Sequence, residues 1–326
     1  MSLLVCYLGI KNIYAIDMNL GKGVNLKDFS NFNIGGPARD FVQAESFDEL
    51  VDSVKTAKQV NLPVFILGGG TNILWSDNGY SGVVLQPAFE FIQTDGEYVT
   101  AGAGVSMSKL VSHTVSRGMA GLEWAGGLPG SFGGAIFGNA GCFGGEIKDL
   151  IVEVVSLDMD TLKLVHRNNE ECGFGYRTSI FKSGNTKEVI VQATIELSKG
   201  DKILLNKSVE EKISYRALKH PLEYPNIGSI FKNVRVEGLP ALIAKEHERV
   251  VKTDPFPVIP AAYLIDKSKL KGLSVGGALI SPKHPNFIVN VNDAKASDVV
   301  ELIGIVKEKV RDKFDIGLEE EVLIVD

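Results

Sequence analysis

The chain has 326 residues, enough for two or three domains with a core that needs no disulfide staples. Apolar residues make up 44% and charged residues 23%, a globular composition that excludes disorder, collagen and coiled coil. The net charge of −6 excludes broad affinity for nucleic-acid phosphate, so any anion must be held by local donors.

Three cysteines (Cys6, Cys142, Cys172) form no CxxC pair, and the five histidines are scattered without HxxxH or HExxH spacing, so no metal site is expected. The apolar N-terminus, residues 1–25, reads as an extension that packs on the body or frays. It is too short and interrupted to span a bilayer and lacks the basic region of a signal peptide, so a cytoplasmic protein is expected.

In chain order, residues 40–44 alternate as a strand. Residues 46–59 predict a helix, with Ser46 as N-cap, Glu49 as its capping partner and Leu50, Val51, Val54 and Ala57 at helical spacing. A buried apolar strand follows Pro63, completing a β-α-β unit that ends in Gly68-Gly69-Gly70-Thr71-Asn72. Strands are expected at 83–85, 91–94, 98–101 and 152–157, and a helix at 106–117. Between them, residues 118–145 are too rich in glycine for a regular element and too apolar for a linker. A third region predicts strands at 230–232 and 287–289, a helix at 296–314 and a terminal strand at 320–325.

The glycine triplet Gly68-Gly69-Gly70 after a buried strand can expose successive backbone N–H groups as an anion nest, or form an ordinary tight loop. The glycines from Gly126 to Gly145 can wrap a long, flat, charged ligand through neutral backbone donors, or let strands and a helix pack tightly. Standard nucleotide signatures fail: there is no GxxxxGK[ST], and the run from Gly102 to Met107 lacks the third glycine of GxGxxG. Ser229-x-x-Lys232 fits SxxK, but the Ser76-Asp77-Asn78 run precedes it and no KTG follows, so an acyl-serine enzyme is rejected. Read alone, Arg177 is a surface charge and Glu319-Glu320-Glu321 a solvated face.

Eight segments in this order resemble the UDP-N-acetylenolpyruvoylglucosamine reductases, the flavoenzymes called MurB: 32–38 (FNIGGPA), 68–74 (GGGTNIL), 121–147 (GLEWAGGLPGSFGGAIFGNAGCFGGEI), 175–181 (GYRTSIF), 228–233 (GSIFKN), 272–277 (GLSVGG), 286–290 (NFIVN) and 318–322 (LEEEV). The resemblance covers nearly everything from about residue 26 onward. It implies an α+β architecture: a vanillyl-alcohol-oxidase/PCMH-type FAD-binding fold of two subdomains (26–88 and 89–211) and a C-terminal α+β substrate-binding domain (212–326). It implies non-covalent FAD, NADPH as co-substrate, and reduction of a UDP-sugar enolpyruvyl ether to UDP-N-acetylmuramate, a peptidoglycan precursor. No nucleic acid, membrane or obligate protein partner is implied.

By correspondence, Arg177 would stabilise the developing enolate. Glu321 would be protonated and donate to the substrate carboxylate, and Ser229 would supply the proton, aided by Lys232. FAD would be embraced by Gly68, Gly69, Gly70, Thr71 and Asn72, and by Gly126, Pro129, Gly130, Ser131, Gly134, Asn139 and Gly141. Tyr176, Lys219, Lys232 and Asn233 would hold the substrate, with Lys219 and Asn233 on its diphosphate. The chain departs from the family pattern in three places. The stretch between Arg177 and Lys219 is short and lacks a tyrosine-bearing loop, which fits a shorter-loop subclass. Residues 234–258 look like an insertion in which 239–251 could be helical. Gly138 stands where a larger residue is usual. The alternatives are a flavin-dependent oxidase of the wider fold and a non-catalytic flavin-binding relative.

Overall fold

The structure, a computed structural model, describes residues 21–253 and 256–326. Most of the N-terminal extension lies outside the described residues, but its end, Gly21–Lys22, adds an antiparallel strand beside Asp40 and Phe41.

The first sheet is built around Ala38–Ala44, which runs parallel to Tyr80–Pro87; that strand in turn runs parallel to Val64–Ile66. Helix α1 (Phe47–Gln59) makes the crossover. Ser46 Oγ accepts from Glu49 N at 3.2 Å, and Glu49 Oε2 accepts from Glu45 N at 2.8 Å, so two free donors at the helix start are satisfied. Leu50, Val54 and Ala57 then bury against Val42, Ala44, Val83 and Leu85.

The second sheet is antiparallel, in the order Leu164–Asn168, Ile151–Asp158, Glu188–Glu196, Tyr98–Gly102, Ile92–Asp95. Helices α2 (Met107–Ser116) and α3 (Phe132–Phe137) share its core. Two of these strands, 164–168 and 188–196, have no counterpart among the sequence-predicted elements. Nor does helix α4 (Lys202–Lys219), which starts at the Asp201 cap and spans the division at 211/212. Its periodicity is hidden because Ile203, Leu204 and Leu218 are exposed and Leu205 is the one residue it buries fully.

In the third region, residues 239–251 form two short pieces, α5 (Ala241–Glu246) and the 3-10 turn Glu248–Val250, broken at His247. Helix α6 (Ala261–Lys267) and helix α7 (Ala296–Phe314) pack with the strands Ser274–Val275, Ala278–Ile280 and Ile288–Asn290. Of the apolar residues at helical spacing along α7, Val299, Ile303, Val306 and Val310 are buried, whereas Val300 is 45% exposed. Two expectations are corrected. The strand at 230–232 is a single antiparallel bridge between Phe231 and Glu320. The terminal strand is Leu323–Val325, and it pairs in parallel with Ile73–Trp75.

The terminal strand therefore locks the third region to the first. Asp77 strengthens the lock by accepting from Ala296 N at 2.7 Å and Ser297 N at 3.2 Å, which caps α7 from across the fold. Phe32, Ile34 and Leu74 enter the C-terminal core.

Where α4 ends, the His220 ring meets His284 edge-on at 5.6 Å, and both touch Phe287. Burial pushes each imidazole down to about 4. Both are thus held neutral, and their contribution to stability is complete above about pH 6.5 and lost as pH falls toward 4. The thermal midpoint is expected to fall by several degrees between pH 7 and 5, and by less in His284→Gln. Equal pH dependence in the two proteins, measured by calorimetry, would contradict this account.

Candidate functional site

Two glycine loops meet face to face. Gly70 sits at φ +64°, and a Cβ there would lie 1.9 Å from the Phe29 carbonyl oxygen, so glycine is required. A Cβ on Gly69 would lie 2.7 Å from Gly130 Cα, and one on Gly130 2.8 Å from Thr71 Oγ1. The backbone N–H groups of Gly69, Gly70, Thr71, Gly130 and Ser131 donate to no described acceptor. Such a double row of free donors fits a pyrophosphate in a protein whose overall charge is unhelpful. Gly69, Pro129 and Gly134 are exposed along this surface. Ser131 Oγ is already engaged, accepting from Gly134 N at 3.3 Å as the cap of α3.

Gly126, Gly141, Asn72 and Asn139, also expected to hold FAD, make contacts within the protein. Tight packing accounts for Gly126, whose Cβ would lie 2.9 Å from Val209 O, and for Gly141, whose Cβ would lie 2.7 Å from Glu146 Cγ. Asn72 Nδ2 donates to Glu321 O at 3.0 Å, and Asn72 O accepts from Leu323 N at 3.0 Å. Asn139, fully buried, donates from Nδ2 to Gly175 O at 2.8 Å and accepts at Oδ1 from Lys148 N at 3.1 Å. Each glycine loop thus sends one asparagine to the backbone that carries a charged residue.

Those charged residues are Arg177 and Glu321. Arg177 occupies the turn closed by the Gly175–Thr178 bridge, in the left-handed region at φ +57°, a conformation that costs a non-glycine residue about 1–2 kcal/mol. Its Nε lies 2.7 Å from Glu321 Oε1, and the two side chains are 23% and 19% exposed. This is an ion pair and not an aligned hydrogen bond: the Arg177 Nε–H has no hydrogen-bond partner, although the atom is buried. Glu321 is set by its backbone, which donates to Ile230 O at 2.8 Å, one residue beyond Ser229. Buried Asn286 fixes the same segment, accepting from Phe231 N at 3.1 Å and donating to Phe231 O at 2.8 Å.

Lys232 pairs with Glu319 on the facing segment. The Tyr176 hydroxyl accepts from Asn233 N at 3.3 Å, and Asn233 Oδ1 accepts from Ala261 N at 3.1 Å at the start of α6. The segment 234–258, apart from residues 254 and 255, which lie outside the described residues, ends at the site's edge. Its Phe256 ring meets Tyr176 edge-on at 4.9 Å, and Arg235 lies over Phe256 at 4.3 Å.

Electrostatics couple the group. Burial pushes the Glu321 carboxyl up, against the pull of Arg177, Lys182 and Lys232. Burial pushes the Lys182 ammonium down, with Lys232 and Arg177 adding to the effect and Glu321 opposing it. Three cations thus face the carboxyl groups of Glu321 and Glu319, an arrangement suited to receiving an anion.

The structure brings Arg177, Glu321, Lys232, Asn233 and Tyr176 together and sets Ser229 beside the Glu321 backbone. It does not tie Lys219 to them: that residue is exposed on the last turn of α4, with no hydrogen bond or ion pair to the cluster. Lys182 and Asn286 were not singled out from the sequence. The first reads there as an ordinary charge after a turn, and no periodicity marks the second.

Residues 220–325 match the family described as UDP-N-acetylenolpyruvoylglucosamine reductase, C-terminal domain, and residues 38–161 match the FAD binding domain family. The chain is 38% identical over 313 residues to the UDP-N-acetylenolpyruvoylglucosamine reductase of Fervidobacterium nodosum, covering 95% of this chain and 93% of that one. It is 36% identical over 302 residues to the corresponding reductase of Clostridium tetani, covering 92% and 90%. Among solved structures, the reductase from Thermus caldophilus superimposes with a TM-score of 0.73 at 30% identity, over 93% of this chain and 98% of that one. These likenesses, with the mixed helix and strand content, bear out the expected α+β FAD-binding fold. The chain belongs to the UDP-N-acetylenolpyruvoylglucosamine reductase family of FAD-dependent oxidoreductases, which serves peptidoglycan synthesis.

Proposed function

We propose that this protein reduces UDP-N-acetylglucosamine enolpyruvate to UDP-N-acetylmuramate with NADPH as the reductant, residues 26–88 and 89–211 holding FAD and residues 212–326 the substrate. One observation carries the reading: Asn139 and Asn72 reach from the two glycine loops to the backbones of the Arg177 turn and of Glu321. A flavin in those loops and a substrate on the charged pair would share one rigid frame.

The chemistry that FAD supplies when bound is hydride transfer from NADPH to the enolpyruvyl group. The free N–H groups of Gly69, Gly70, Thr71, Gly130 and Ser131 hold its pyrophosphate. Arg177 binds the substrate carboxylate and stabilises the negative charge that develops beside it. In this reading Glu321 takes the protonated form that burial favours and donates a hydrogen bond to the same carboxylate. Ser229 delivers a proton to the neighbouring carbon, and the positive charge of Lys232 lowers the cost of the alkoxide left behind. Tyr176, Lys219 and the free Nδ2 of Asn233 hold the diphosphate side of the substrate.

The test is an anaerobic titration of the FAD-loaded protein. NADPH is expected to bleach the oxidised-flavin absorbance, and UDP-N-acetylglucosamine enolpyruvate to restore it. Bleaching without recovery would remove the proposed acceptor. Failure to bleach would remove NADPH.

A further inference from the structure

We infer that Lys182 is a positioning residue that clamps the Arg177 turn and supplies a fixed positive charge behind Glu321; its part in catalysis rests on the reaction proposed above. Arg177 stands in the left-handed region, which persists only where the surroundings over-determine it. Two side chains do so. Asn139 donates to the carbonyl of Gly175 at 2.8 Å, and Lys182 Nζ donates to the carbonyl of Arg177 itself at 3.0 Å. The turn is gripped before and after the guanidinium, so the side chain leaves a backbone with little freedom to relax.

The placement of Lys182 is otherwise hard to explain. A solvated lysine satisfies its ammonium with water and pairs with a nearby acid. Lys182 is instead partly buried, makes no ion pair among the described residues, and spends a donor on a carbonyl. The charged groups that act on it are Lys232, Glu321, Arg177 and Glu319. Those that act on Glu321 are Arg177, Lys182 and Lys232. Two neighbouring cations make this an unfavourable place for a third unless its charge is used. Its field opposes the burial that raises the Glu321 carboxyl, and so helps set the pH above which that carboxyl loses its proton.

Lys182→Met removes both clamp and charge, whereas Lys182→Arg keeps the charge and a donor. The FAD-loaded proteins are compared by stopped flow. Reduction by NADPH is expected to be unchanged in Lys182→Met, and recovery on adding UDP-N-acetylglucosamine enolpyruvate to slow by about 10-fold or more. The alkaline limb of the recovery rate is expected to move to higher pH in Lys182→Met and to stay in place in Lys182→Arg, a pattern that loss of packing alone does not produce. Should Lys182→Met fail to retain FAD, Lys182→Gln is read in the same way. Amide hydrogen exchange over residues 175–182, expected to quicken in Lys182→Met, tests the clamp without reference to turnover. Wild-type protein that bleaches but does not recover overturns the reaction and leaves hydrogen exchange to decide the clamp. Wild-type recovery with an unmoved rate and limb in Lys182→Met overturns the catalytic role, and unchanged exchange overturns the clamp.

Discussion

Ser229→Ala is expected to slow substrate reduction by at least about 10²-fold while flavin reduction by NADPH continues at its original rate. The asymmetry follows from the placement of the hydroxyl. Ser229 precedes the segment whose backbone is fixed by Asn286 and Glu321, through Phe231 N, Phe231 O and Ile230 O. None of those bonds uses the serine side chain, so its removal leaves the frame standing. Proton delivery enters only after the substrate is in place, so the first half-reaction is untouched. Rapid mixing of NADPH-reduced enzyme with UDP-N-acetylglucosamine enolpyruvate measures the second step directly. Recovery at the wild-type rate would remove Ser229 as proton donor.

Arg167→Met is expected to destabilise the fold by about 3–5 kcal/mol, the largest single effect on stability that the described ion pairs offer. Arg167 grips Glu188 with both ends of its fork, Nε to Oε2 at 3.0 Å and one terminal nitrogen to Oε1 at 2.6 Å. Ser156 donates a third bond at 2.6 Å, and the Glu188 side chain is 2% exposed. Burial works to raise the Glu188 carboxyl, but the bonds from Arg167 and Ser156 outweigh it and hold the group below its ordinary range. Glu188 therefore stabilises the fold at neutral pH and loses that contribution as pH falls through its lowered value. Without the guanidinium, the carboxylate would be left charged and unpaired between strands of the second sheet. The double variant Arg167→Met/Glu188→Met is expected to recover most of the loss, because the cost lies in the abandoned charge. Urea unfolding measures both, and a single-variant loss below about 1 kcal/mol would show that water or rearrangement satisfies Glu188.

Much of the frame was legible locally. Ser46 and Glu49 announce the start of α1, the apolar residues mark α7, and the glycine triplet after a buried strand marks a tight loop, because each signal lies within a few residues of its effect. Helix α4 was not legible: apolar Ile203, Leu204 and Leu218 point to solvent, which blurs the period. The strand expected at 230–232 reduces to one bridge because its neighbour, the segment around Glu320, pairs with it at a single position before turning to Ile73–Trp75.

The sequence by itself marked the two glycine-rich loops, the starts of α1, α2 and α7, and, through eight ordered segments, the family and its catalytic candidates. It determined little about how those candidates are held. Asn72 and Glu321 are 249 residues apart in the chain, and Asn139 and Gly175 are 36 apart, yet each pair is joined by one hydrogen bond. Periodicity reports the burial of a residue among its neighbours in sequence, and carries no record of a contact that closes a long loop. Only the tertiary structure could therefore turn Asn72 and Asn139 from simple loop residues into braces for Glu321 and the Arg177 turn, reveal Lys182 behind them, and raise the Glu321 carboxyl by enclosing it.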